Sequence, residues 1–279
     1  MTVATMPDLA RRACDAGVGI GAFNVIQLEH AEGIVAGAEQ AGRPVVLQVS
    51  ENTVAYHGSL APLARACLTL AEQAVAEVVV HLDHVTRRDL LREAIGLGVP
   101  SLMYDASAMS HADNVVATRA VVAEAHAAGV WIEAELGEVG GKDGVHAAGV
   151  RTRPDEAAAY VADTGVDALA VAVGSSHAML TRDAELDDDL IARLAAAVPV
   201  PLVLHGSSGV PDDGLRRAVE CGMRKVNVAT QLNKVMAAAV RDALSDSALV
   251  DPRRYLGPGR DAVAAEVARL LALLAPTAY

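Results

Sequence analysis

Short apolar runs recur along the chain, separated by longer segments in which small apolar and charged residues alternate at helical spacing. The runs occupy 19–23, 44–49, 78–82, 99–103, 130–136, 168–173, 201–204 and 225–228. Each is too short for a buried helix and has the length of a strand covered on both faces. Helix starts are marked by Asp8, by the segment 152–156 with Pro154, Asp155 and Glu156, and by Pro211, Asp212 and Asp213. Gly42, Gly129, Gly165 and Gly222 mark helix ends.

Strands alternating with helices imply parallel pairing, because a parallel neighbour is reached only through a crossover. Eight such units in 279 residues fit a closed (β/α)8 barrel, a TIM barrel, forming one domain over 1–279. No G-x-G-x-x-G follows a strand, so an open dinucleotide-binding sheet is the weaker alternative. The Ala-rich stretches "AAAYVAD" and "ARLAAAV" are helix-forming sequence interspersed with charge, not linkers.

In such a barrel the chemistry lies at the C-terminal ends of the strands. Those ends carry Asn24, then Gln48 and Ser50, then Asp83 and His84, then Glu135, then Ser175, Ser176 and His177. The seventh run leads into "HGSSG" at 205–209 and the eighth into Asn227, Val228, Ala229 and Thr230. His84, His177 and His205 are far apart in sequence but fall at equivalent strand ends, and closure of a barrel brings them together. Three neutral imidazoles suit a zinc site that keeps a coordination position open, where the ion can polarise a carbonyl.

The stretch "HLDH" at 81–84 puts two imidazoles and a carboxylate in four residues. Alternation along a strand puts His81 and Asp83 on one face, with His84 at the exit to the loop. Asp83 is therefore assigned to proton transfer, His84 to the metal and His81 to a supporting hydrogen bond. His30, His57, His111 and His126 fall in helical segments or their approaches and read as packing or surface residues. The small residues of "HGSSG" and "NVAT" place hydroxyls and backbone N–H groups where barrels bind phosphate. The connection 137–151, "GEVGGKDGVHAAGVR", reads as a lid over that site.

Charge and composition narrow the partners. With 23 basic against 35 acidic residues and 3% aromatics, the chain offers neither a phosphate-tracking surface nor a stacking platform, so nucleic acid is not expected. Cys14, Cys67 and Cys221 form no C-x-x-C pair, which fits a reducing cytoplasm. The apolar run 263–274 is interrupted by Glu266 and Arg269, so no membrane span or leader is expected and the protein should be soluble.

The motifs "GAFNV" at 21–25, "HLDH" at 81–84, "SLMYDAS" at 101–107, "IEAELGEVGG" at 132–141, "LVLHGSSGVP" at 202–211 and "KVNVAT" at 225–230 span nearly the whole chain. Through them it resembles the class II, metal-dependent ketose-bisphosphate aldolases, in particular the shorter tagatose-bisphosphate aldolase type. The resemblance implies zinc held by His84, His177 and His205, with Glu135 an alternate ligand, and Asp83 moving the proton of the substrate C4 hydroxyl. It further implies that the phosphate of dihydroxyacetone phosphate sits against Gly206, Ser208 and 227–230, with Ser50 nearby, assisted by a monovalent cation, Na+ or K+. Asn24, Gln48 and Ser207 complete the expected substrate contacts, and the expected assembly is a homodimer or homotetramer acting on sugar phosphates in carbohydrate metabolism such as glycolysis.

Two departures from the family pattern stand out. The strand-six motif usually reads G-T-x-H-G, whereas "GSSHAML" puts Ala178 where a glycine lies beside the phosphate. The lid usually carries G-G-x-E-D-G, whose glutamate removes the C3 proton, and here it reads "GGKDG". Asp143 or Glu138 could take that role. A zinc-dependent hydrolase on the same barrel, and a sugar-phosphate binding or regulatory homologue with little turnover, are the rival readings. Ketose choice between fructose and tagatose is left open by the sequence.

Overall fold

The computed structural model describes residues 4–136, 151–177 and 179–275. Of the expected site residues, Glu138, Asp143 and Ala178 lie outside them.

Eight parallel strands close a barrel in chain order: β1 (Ile20–Asn24), β2 (Val45–Ser50), β3 (Val78–Val85), β4 (Ser101–Tyr104), β5 (Trp131–Glu135), β6 (Ala168–Ala170), β7 (Leu202–Leu204) and β8 (Met223–Val228), which pairs back onto β1. Each strand overlaps an apolar run, and the (β/α)8 barrel is the architecture expected from their alternation with helices. Between and after the strands come α2 (Leu28–Ala41), α3 (Glu51–His57), α4 (Ala61–Gln73), α5 (Arg88–Leu97), α6 (His111–Ala127), α7 (Pro154–Thr164), α8 (Asp188–Ala197), α9 (Asp212–Cys221), α10 (Thr230–Ala243) and α11 (Pro252–Leu274), while α1 (Met6–Ala16) precedes them all.

Local chemistry sets the boundaries. The Thr5 hydroxyl caps α1 by accepting from the Asp8 N–H at 3.3 Å, so Asp8 lies in the first turn and is not the start itself. Gly42 and Gly165 end α2 and α7 in the left-handed conformation, and Gly222 ends α9. Gly129 lies two residues beyond the end of α6.

Two strands end three residues away from the ends of their runs. β3 continues three residues past Leu82, which makes Asp83 and His84 part of the strand. β6 stops at Ala170, because the backbone N–H of Ala172 donates to the Thr152 hydroxyl and its carbonyl accepts from the Thr152 N–H.

The interior of the barrel changes character along its axis. At the N-terminal end, Met6, Leu9 and Ala13 of α1 pack with Ile20, Ala22, Val46 and Val79 and close the barrel. Met103, Ala168, Ala170 and Val203 fill another apolar cluster. Toward the C-terminal ends the inward positions turn polar: Gln48 and Ser50, His81 and Asp83, Glu133 and Glu135, Lys225 and Asn227, each pair two residues apart on one strand as the pleat requires. No helix among the described residues is long and apolar enough to cross a membrane.

Candidate active site

Adjacent strand residues ordinarily point to opposite faces, yet Asp83 and His84 both face the mouth of the barrel. The register with β4 shifts between Leu82 and Val85, and His84 takes a φ of 51°. A non-glycine residue in the left-handed region, at an irregularity in the pairing, is how a strand re-aims one side chain. His177 comes from the loop after β6 and His205 from the residue following β7.

The three imidazoles meet edge to face, with ring centroids 4.6 to 5.7 Å apart. One nitrogen from each lies within 4.8 Å of the other two. His84 Nδ1 is 2.8 Å from Asp105 Oδ2, and His205 Nε2 is 3.0 Å from Glu133 Oε1. A carboxylate can only accept, so both of those nitrogens carry their proton. His84 Nε2 and His205 Nδ1 are then left as lone pairs, and they face each other at 3.0 Å. Two lone pairs at that distance repel, and a cation between them and His177 removes the repulsion. The donor set thus fits a metal of the zinc type, which prefers neutral imidazole nitrogen.

Asp83 stands beside this triangle. Its Oδ2 accepts from Gln48 Nε2 at 2.9 Å and lies 3.7 Å from His84 Nε2. Gln48 also donates to Asn24 Oδ1 at 3.0 Å, so β1, β2 and β3 are tied together at their ends. His81 is fully buried beneath, its Nδ1 2.7 Å from the Ser101 hydroxyl. Burial and the nearby Lys225 cation hold its pKa well below the ordinary value.

One cavity gathers nearly all the residues expected at the site. Its walls are Asn24, Gln48 and Ser50 on one side and Asp83, His84, His177 and His205 on another. Gly206, Ser207, Ser208, Asn227, Ala229 and Thr230 close it. Gly206 has a φ of 66°, and a Cβ there would lie 2.5 Å from the Ser176 carbonyl oxygen, so only glycine lets these two loops touch. Thr230 opens the 14-residue α10, whose first-turn N–H groups suit an anion.

One expectation changes and two gain detail. The Val228 side chain is buried in the apolar core and does not line the cavity, because alternation turns it away from Asn227. The Ser207 hydroxyl donates to the Asn227 carbonyl, and the Ser208 hydroxyl accepts from the Gln231 N–H at 3.2 Å. Both therefore brace the loops as well as line the cavity. Glu135 is fully buried, off the cavity wall, in a second group of potential ligands with His84 and Asp105.

Sequence reasoning missed Asp105, Glu133, Lys225 and Asn52. For Glu133 and Lys225 the signal was present: a charged residue two positions before an inward-facing one must itself face inward. Asp105 sat in the quoted "SLMYDAS", and Asn52 gives no sequence signal apart from its neighbours.

The family model for class II fructose-bisphosphate aldolase matches residues 4–277. A fructose-bisphosphate aldolase from Geobacillus stearothermophilus is 37% identical, over 96% of this chain and 95% of its own. One from Thermus caldophilus is 36% identical, over 92% of each. The crystal structure of the YdjI aldolase from Escherichia coli K12 superposes with a TM-score of 0.87 at 30% identity, covering 98% of this chain and 97% of that one. The barrel, the imidazole triangle with its adjacent carboxylate and these matches lead to one conclusion: the chain belongs to the class II fructose-bisphosphate aldolase family, whose members are carbon–carbon lyases.

Proposed function

We propose that the protein is a zinc-dependent aldolase that reversibly cleaves a ketose 1,6-bisphosphate, fructose or tagatose, or a related ketose 1-phosphate. The products are dihydroxyacetone phosphate and an aldehyde such as glyceraldehyde 3-phosphate. The observation that carries the reading is the convergence of His84 Nε2 and His205 Nδ1 to 3.0 Å, with His177 beside them and Asp83 within reach.

His84, His177 and His205 would hold the zinc, which when bound supplies a Lewis acid for the ketone carbonyl and for charge developing on its oxygen. Asp83 takes the proton from the C4 hydroxyl during cleavage and returns it during synthesis. Gln48 donates to its Oδ2 and so fixes the carboxylate beside His84, at the wall of the cavity. Gly206, Ser208, Ala229 and Thr230 hold the phosphate through backbone N–H groups and the N-terminus of α10, with Ser50 on the opposite wall. A monovalent cation beside the phosphate belongs to the same proposal.

Fructose 1,6-bisphosphate, tagatose 1,6-bisphosphate and fructose 1-phosphate, each assayed for triose phosphate release, test it. At least one should be cleaved by zinc-loaded protein, lost on chelation and regained with zinc. Cleavage undiminished in metal-free protein, or no cleavage of any of the three, would refute the reading.

A further inference from the structure

One residue below the imidazole triangle, a salt bridge crosses the inside of the barrel. Lys225 Nζ on β8 donates to Glu133 Oε2 on β5 at 2.8 Å, and both side chains are buried. The other oxygen of the same carboxylate accepts from His205 Nε2 at 3.0 Å. Glu133 is thus held at both ends, by an ammonium from one side of the barrel and an imidazole from the other. Burying such a pair has a large desolvation cost, and an apolar pair would fill the same space without it. What the apolar pair could not do is fix the rotation of a carboxylate, and through it the ring of His205.

We propose that Lys225 and Glu133 are positioning residues of the metal centre, which orient His205 so that its Nδ1 lone pair faces His84 and His177. The proposal rests on the metal-centre reading above. Glu133 fixes the tautomer, because its oxygen accepts the Nε2 proton and leaves Nδ1 unprotonated. Lys225 fixes Glu133: with Oε2 engaged, the carboxylate cannot turn away from the ring. Neither side chain lines the cavity, so neither contacts substrate.

The test measures zinc affinity by chelator competition and the visible absorption of the cobalt-substituted chain, alongside thermal melting. Glu133→Gln keeps the shape and replaces a charged acceptor by a neutral one. It should raise the zinc Kd about 10-fold and shift the cobalt bands. The double variant Glu133→Leu, Lys225→Met exchanges the buried pair for apolar side chains. It should melt near the wild-type temperature and still bind zinc about 10- to 100-fold more weakly. Wild-type affinity and cobalt spectrum in either folded variant would overturn the proposal, and if the double variant does not fold, Glu133→Gln decides alone. A wild-type chain that binds no zinc overturns the metal-centre reading itself, whereas normal wild-type binding with unaffected variants overturns only this step.

Discussion

His84 carries the local irregularity on which the site depends. Its φ of 51° lets two neighbouring strand residues share the mouth of the barrel, so ligand and proton carrier come from adjacent positions. Asp83 Oδ2 lies 3.7 Å from His84 Nε2, beside the imidazole triangle and not within it. The substitution Asp83→Asn should therefore leave zinc content near that of the wild type while carbon–carbon cleavage falls by about 10²-fold or more. Metal analysis and single-turnover cleavage measure the two separately. Loss of zinc in the variant would make Asp83 a ligand and remove it from the proton-transfer role.

Outside the barrel, α2 and α11 approach each other closely. A Cβ added at Gly37 would lie 2.5 Å from the Ala264 carbonyl oxygen, and one at Gly33 would lie 2.7 Å from that of Arg260. Backbone cannot yield as a flexible side chain can, so Gly37→Ala should destabilise the protein by about 1–3 kcal/mol in spite of alanine's better helix propensity. Gly96 in α5 is the matched control, because nothing lies within 4 Å of its added Cβ and the position is exposed. Gly96→Ala should stabilise by about 0.5–1 kcal/mol. Equilibrium urea unfolding of the two variants should thus give shifts of opposite sign, and a stabilised Gly37→Ala would mean that the helices separate easily.

For the whole molecule, buried imidazoles set a limit on acid stability. Burial lowers the pKa of His30 below 6.5, against the opposing pull of Asn233 and Glu29, and lowers that of His81 further. Above pH 6.5 these groups are neutral whether the chain is folded or not, and they cost nothing. As the pH falls through 6.5 the unfolded chain takes up protons that the folded one refuses, so stability declines until the folded pKa values are reached. Each group contributes a slope of up to about 1.4 kcal/mol per pH unit in that window. The urea midpoint should fall between pH 7.5 and 5.5, and less steeply in His30→Leu. An equal slope in that variant would show that His30 gains its proton in the folded state.

The sequence alone determined the elements and most of the site. Strands covered on both faces need continuous apolar runs, and helices against them need caps and glycine stops, so both signals are local and survive in one dimension. Parallel closure then sends every strand end to one mouth, which is why the positions of His84, His177 and His205 in the sequence are enough to group them. Only the tertiary structure decided what happens across the barrel. That β3 runs on and shifts register at His84, that Glu133 reaches Lys225 from the far side, and that Asp105 backs His84 are contacts between strands whose spacing depends on closure and stagger. The same is true of Val228, which the motif groups with Asn227 and the pleat turns into the core. Sequence gives each side chain its chemistry, but which chemistries meet is set by distances that no local pattern contains.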